Sequence, residues 1–414
     1  MKKTGIAAGI VLLALVLFSA VRAGQQGSAV AAQAVPAPAA GGFQVQGGNI
    51  TPGTLPAGVV SAVFVEASTG TDDGMARLVR SMHNHGFAFY QTQAAPDGLI
   101  ASGDVVLLKI NAQWDQRGGT NTDLIRAVIR EILNHPEGFS GEIIVADNGQ
   151  GIGRLDWPRN NAENHGQSAI SVIRDFQAQG YRVTGVLWDT FTNVRVQEFS
   201  AGDMRNGFVV ENNIRPTGLE VSYPKFTTEF GTRVSFRYGI WNDATRTYNS
   251  DILKVINIPV LKAHYMTFVT AAVKNYMGVP SNGLSGRRPH NSVLTGGMGT
   301  LMVQTRLPTL NITDMIWIAP DRGPWVSYDA AVRTNKIAAS TDPFALDYWT
   351  ARHVLIPEAA RFPGGRAVSM NPAGTTPGTF GHWMRLSMDE FHRAGIVVTM
   401  NPAEMLVVQN GTAW

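Results

Sequence analysis

Cysteine is missing from all 414 residues. Its absence excludes disulfides, thiolate nucleophiles, Cys-ligated zinc and any iron–sulfur cluster held by this chain, and no other cofactor is expected from the sequence. Charged residues are also sparse, at 16%. Lys and Arg number 34 against 31 Asp and Glu, but Lys2, Lys3 and Arg22 stand in an amino-terminal stretch without acid, so the remainder is balanced at 31 to 31. A balanced chain has no global electrostatic footprint for nucleic acid, and no nucleic-acid partner is expected. There is no His-Glu-x-x-His helix pair and no Gly-x-Ser-x-Gly elbow, so neither a zincin site nor an α/β-hydrolase nucleophile can be nominated. What is present is apolar material, 44% of the chain with 9% aromatic, enough for a large core and incompatible with a disordered class.

The amino terminus has the three parts of an export signal. Met1-Lys2-Lys3 is the positive region, Gly5 to Ser19 the apolar region, and Val21-Arg22-Ala23 the small-residue cleavage pattern. An exported protein, periplasmic or extracellular, is expected; the alternative is an uncleaved leader that tethers the chain to a membrane. Residues 24–57 carry no charge and are rich in Ala, Pro and Gly, as in a flexible linker.

From residue 58 to the end, short apolar runs alternate with helical periodicity, predicting an α/β domain whose mostly parallel sheet has helices on both faces. Val105 to Ile110, a helix after Thr122, and Glu142 to Ala146 make one right-handed β-α-β unit. Residues 191–250 break the rhythm with short runs separated by Gly, Pro and Asn, and read as a β-rich insertion. The α/β pattern then resumes at Ile252 to Pro259, followed by a helix over 267–277, strands at Thr309 to Ile318 and Lys336 to Ser340, and a helix over 343–354.

Ligands in open parallel sheets bind beyond the carboxyl ends of the strands, so the residues there carry the search for chemistry. Lys109 and Asn111 stand two apart after one such strand, and Asp147 begins the glycine-rich run Asp147 to Gly153 after the next. That run resembles a phosphate cradle, but Arg154 stands where a dinucleotide fingerprint needs glycine, so a tight turn is the plainer reading. Lys262 and His264 end a third strand, and Thr267 is placed to cap a helix bearing Thr270, Lys274 and Asn275. Lysine, histidine and a helix N-terminus converging on one point suit an anion. Arg288 and His290 follow in a basic loop, and Asp314, Asp321 and Asp342 fall near later strand ends, Asp342 doubling as a candidate helix cap.

These residues predict binding, and in its catalytic form transformation, of a small carboxylate or phosphate. His264, Lys262 and Asp342 are the catalytic candidates; Lys109, Asn111, Asp147, Lys274, Asn275, Arg288 and His290 are the ligand-binding ones; no metal set is assigned. Two other readings stand beside it. One is a non-catalytic envelope protein that recognises a partner through aromatics of the insertion (Phe226, Phe230, Phe236, Tyr238, Trp241, Tyr248). The other is a metal-dependent hydrolase built on His264, His290 and Asp147.

Several blocks in order, VVLLKIN (Val105 to Asn111), IIVAD (Ile143 to Asp147), VINIPVLKAH (Val255 to His264), VTAAVKNYMG (Val269 to Gly278), LNITDMIWI (Leu310 to Ile318) and IAASTDPFALD (Ile337 to Asp347), resemble the domain of unknown function 362 family over roughly residues 100–350. The resemblance implies an α/β domain and matches Lys109, Asn111, Lys262, His264, Lys274, Asn275 and Asp342 to the family pattern. It implies no reaction. Many relatives carry ferredoxin-type cysteine clusters; this chain departs from them in having none, which argues against electron transfer.

Overall fold

A computed structural model describes residues 55–157, 162–286, 289–321, 323–362 and 366–413. The export signal and nearly all of the linker therefore lie outside the described residues, as does Arg288. The strands are β1 (Ser61–Ala67), β2 (Val105–Lys109), β3 (Glu142–Asp147), β4 (Val183–Leu187), β5 (Gly207–Ile214), β6 (Glu220–Thr227), β7 (Arg233–Ser235), β8 (Gly239–Asn242), β9 (Thr247–Asn249), β10 (Leu253–Asn257), β11 (Val260–His264), β12 (Phe268–Thr270), β13 (Leu310–Ala319), β14 (Val332–Ser340), β15 (Met405–Gln409) and β16 (Thr412–Ala413). The helices are α1 (Gly74–Asn84), α2 (Thr122–Leu133), α3 (Ala169–Gln177), α4 (Ala272–Asn275), α5 (Gly297–Gln304), α6 (Pro343–Thr350), α7 (Ile356–Ala359) and α8 (Phe380–Arg393).

Eleven strands form one sheet, ordered β16-β15-β1-β14-β13-β10-β2-β3-β4, with β11 beside β13 and β12 beside β11. Pairing is parallel from β13 through β10, β2 and β3 to β4, and antiparallel where β14 meets β1 and β13. The fold is thus α/β and mostly parallel. Alternation along each strand builds two cores. Val106 and Leu108 of β2 join Leu124, Ile125, Val128 and Val172 under α2 and α3, while Val105 and Leu107 join Trp188, Tyr276, Leu301 and Phe344 on the opposite face. The β-rich insertion is a separate five-stranded antiparallel sheet, β5 to β9 in order. Its Phe226, Phe236 and Trp241 are buried and pack inward, leaving Phe230 as the exposed large apolar side chain of the six named for it. Among the described residues no helix is long and apolar enough to cross a membrane.

One local expectation is corrected. The segment 267–277 is no continuous helix: Phe268–Thr270 is a strand paired antiparallel to β11, with Lys262 opposite Thr270 and His264 opposite Phe268. Vicinal β-branched residues, Val269 and Thr270, lose χ1 freedom in a helix and favour the pleated form. Helix α4 is a single turn, and the Thr267 hydroxyl caps nothing. The N–H groups of Ala272 and Val273 go instead to the Asp347 carboxylate, at 2.7 and 2.9 Å. A helix dipole aimed at an anion is therefore not part of this site.

A polar rung crosses the sheet one level above the apolar core. Lys109, Asn257, Asn311 and Ser340 are register neighbours on β2, β10, β13 and β14. Asn257 Nδ2 donates to Asn311 Oδ1 (2.9 Å) and Ala272 O (3.0 Å), Asn311 Nδ2 donates to Ser340 O (3.2 Å), and Asn275 Nδ2 donates to Asn257 Oδ1 (2.8 Å). These bonds pin α4 above the strand ends. Replacing Asn257 with Leu strands their partners in a buried setting, where each unmet group costs about 1–3 kcal/mol. Urea denaturation of that variant is expected to show a loss of roughly 2–4 kcal/mol; a loss below about 1 kcal/mol would mean that the rung does not hold α4.

Candidate functional site

A small open pocket lies over the carboxyl ends of β2, β3 and β11. Lys109 and Asn111 line it from the end of β2 and Asp147 from the end of β3; Lys262 and His264 enter from β11, and Lys274 and Asn275 from α4. Seven of the ten residues expected from sequence thus meet in one place. Cross-strand pairing of Lys262 with Thr270 puts both side chains on the same face, and both border the pocket.

Two of the other three fall elsewhere. His290, half-buried, borders an adjoining larger cleft with Asp189, Thr192 and Asn282, which meets the first pocket at Gln150. Asp342 is a correction to the catalytic set. Its Oδ1 accepts from Phe344 N (2.8 Å) and Ala345 N (3.1 Å) and its Oδ2 from Thr399 N (2.8 Å), so it caps α6 and ties down the chain near residue 399. It does not border the pocket. Asp314 is likewise engaged by backbone, accepting from Asn121 N and Ile316 N at 2.9 and 3.1 Å.

The glycine-rich run after β3 is a turn. Gly153 N donates to Gly149 O (2.7 Å), Gln150 N to Asn148 Oδ1 (2.9 Å) and Gly151 N to Asp189 Oδ2 (2.8 Å), so these amides are spent within the protein. A phosphate cradle needs them unspent.

Charge is distributed unevenly among the pocket's lysines. Lys109 Nζ lies 2.6 Å from Asp147 Oδ1 and donates to Ile110 O at 2.7 Å, while Asp147 Oδ2 accepts from Ala112 N at 2.7 Å. Burial pulls Lys109 down and pushes Asp147 up, and each charge opposes the other's shift. Lys262 donates to Gly118 O and Lys274 has no hydrogen-bond or ion-pair partner among the described residues. Burial, helped by the neighbouring Lys274 for Lys262 and by Lys109 for Lys274, pulls both ammonium groups down to about 7.

His264 is held as a neutral donor. Its Nδ1 accepts from Met266 N (3.1 Å) and Thr267 N (3.3 Å), and because backbone amides can only donate, the ring proton belongs on Nε2. Burial first, then the charges of Lys274 and Lys262, pulls the imidazole down to about 2. A ring in this tautomer polarises a ligand oxygen; its lone pair is already committed, which does not suit the acid/base duty expected from the sequence. Unpartnered buried polar atoms belong to three more lining residues, Asn111 Oδ1, Trp114 Nε1 and Thr270 Oγ1. Among the described residues no group of three His, Asp or Glu could hold a metal ion.

Three further lining residues, Gly278, Trp114 and Gln113, were not among the sequence candidates, and Gln150 lies within the run Asp147 to Gly153 that was. Gly278 matters sterically: a Cβ there would sit 2.6 Å from Lys109 Nζ and closer still to Asp147 Oδ1. The glycine closes the block VTAAVKNYMG, where its position after Lys274-Asn275 was the available signal. Trp114 and Gln113 lie in a loop without periodicity and left none.

The fold and pocket together define an α/β protein with a cation-rich, partly open site at the carboxyl edge of its sheet. Residues 243–352 match the family model "Domain of unknown function (DUF362)", and this match supports assignment of the chain to that family. The matched stretch contains Lys262, His264, Lys274 and Asn275; Lys109, Asn111 and Asp147 lie outside it. No curated protein and no solved structure matches the chain.

Breaking a buried ion pair from one side leaves an uncompensated charge, at a cost of about 3–5 kcal/mol. Lys109→Met and Asp147→Asn are each expected to destabilise by about that amount, and the double variant by clearly less than the sum. Additive losses in a denaturant double-mutant cycle would show that the two groups do not act as a pair.

Proposed function

We propose that this pocket binds a small anion, a carboxylate or a phosphate, and that the protein does so outside the cytoplasm. The observation that carries the reading is that Lys262 and Lys274 are buried in one pocket wall, 0% and 5% exposed, with no carboxylate partner among the described residues. Burying an ammonium group costs several kcal/mol unless an anion compensates, and Asp147 is already committed to Lys109. A ligand carboxylate or phosphate supplies the missing charge. Around it, His264 Nε2–H, Trp114 Nε1–H and the Thr270 hydroxyl offer neutral hydrogen bonds that orient the anion without adding to the repulsion. Export is supported by the amino-terminal leader pattern alone.

Calorimetric titration with sulfate, phosphate and acetate tests the reading. The unaltered protein should bind at least one of the three, and Lys262→Met and Lys274→Met should each weaken it by about tenfold or more, the equivalent of 1.4 kcal/mol. Equal affinity in all three proteins, with the variants folded by circular dichroism, would overturn the assignment.

A further inference from the structure

Lys274 differs from the other two lysines of the pocket. Lys109 is paired with Asp147 and Lys262 holds Gly118 O, whereas the Lys274 amine is engaged by no described group. The groups around it discourage a proton. Lys109 of β2 is ion-paired with Asp147, Lys262 of β11 adds positive charge whenever it is protonated, His264 and His290 are neutral donors or acceptors, and the carboxylates of Asp147 and Asp314 are bound to Lys109 and to backbone amides. An amine desolvated beside other cations and facing an open pocket is the arrangement in which lysine acts as a nucleophile toward carbonyl carbon.

We propose that Lys274 is a carbonyl-reactive lysine that forms an imine with a small 2-oxo carboxylate, whose carboxylate is held by Lys262 and whose carbonyl oxygen accepts from His264 Nε2–H. The proposal rests on the anion reading of the same pocket. In the step, the Nζ lone pair forms the C–N bond as the carbonyl π pair moves to oxygen. One amine proton passes to that oxygen to give a carbinolamine. The oxygen then leaves as water with the second amine proton, and the nitrogen lone pair completes the C=N bond. Atoms and electrons balance without an oxidant or reductant. Lys262 can serve because it retains protons beyond the one given to Gly118 O, and His264 because its proton lies on the nitrogen not engaged by backbone.

The pH dependence separates this role from a purely electrostatic one. At pH 7 an amine that titrates at about 7 is half neutral, whereas an ordinary lysine with a pKa of about 10.4 is neutral in roughly one molecule in 2,500. The full chain would be incubated with pyruvate and sodium cyanoborohydride, which reduces an imine to a stable secondary amine, and the modified lysine located by peptide mass spectrometry. Labelling is expected at Lys274, faster at pH 7 by at least about tenfold than at Lys254 or Lys336 outside the pocket, and level above about pH 8. Lys274→Arg should abolish it and Lys262→Met should slow it by about tenfold. Labelling at Lys274 no faster than at Lys254 and Lys336, labelling centred on Lys109 or Lys262, or a rate still climbing above pH 9 would each overturn the proposal. Sulfate calorimetry on the same sample separates the two failures: with binding intact only the imine is lost, and with binding absent the anion reading falls as well. The wild-type pH profile keeps the test decisive if a variant does not fold.

Discussion

Uncompensated positive charge in a low-dielectric pocket is the constraint on which the rest of this structure turns. Three lysines are buried within one wall, and the carboxylate among the pocket-lining residues, Asp147, is taken by the first of them. In water such charges would scarcely interact; out of water their mutual repulsion and lost hydration are large enough to move two ammonium groups to about neutrality. A protein gains nothing in stability from this arrangement, since well-packed apolar side chains would serve the fold as well or better. The anion-binding proposal rests on this excess of buried cationic groups over carboxylates in the pocket.

The fold makes the arrangement possible by spending its other polar groups on rigidity. The asparagine rung across β2, β10, β13 and β14 satisfies itself by side-chain bonds, so that α4 stands in one position over the strand ends. Asp347 closes the N-terminus of α4 from beneath, and Asp342 closes that of α6. The hairpin of β11 and β12 brings Lys262 and Thr270 side by side and turns the following amides onto His264. Carboxylates and amides therefore do structural duty around the pocket, while the Lys274 amine, the Trp114 indole N–H and the Thr270 hydroxyl have no hydrogen-bond partner among the described residues.

Much of this was legible in residues alone, for definite physical reasons. Strands buried on both faces read as continuous apolar runs, so Val105 to Ile110 and Glu142 to Ala146 declared themselves, and the rule that ligands sit past strand ends led directly to Lys109, Asn111, Asp147, Lys262 and His264. What escaped depended on tertiary context. Whether Val269-Thr270 extends a helix or pairs as a strand is decided by the neighbouring β11, not by local preference. Asp342 and Asp314 fall near strand ends as catalytic residues would, and their backbone partners show that Asp342 is the helix cap it could equally have been and that Asp314 is bound by the amides of Asn121 and Ile316. Gly278 is marked only by its place at the end of VTAAVKNYMG, because its contribution is the absence of a Cβ beside Lys109 and Asp147. The protonation state of His264 follows from two amides brought round by a tight hairpin, which no spacing rule encodes.

The most direct measurement of the central claim is the proton balance of anion binding, read by calorimetry of sulfate in buffers of different ionisation enthalpy. Sulfate does not titrate near neutrality, so any proton taken up belongs to the protein. Lys262 and Lys274 lose protons as pH rises past about 7 in the free pocket, and a bound dianion raises their proton affinity. Sulfate binding at pH 8 should therefore draw protons from solvent, and affinity should fall as pH rises further. Binding that takes up no proton and holds constant affinity from pH 6 to 9 would contradict the account.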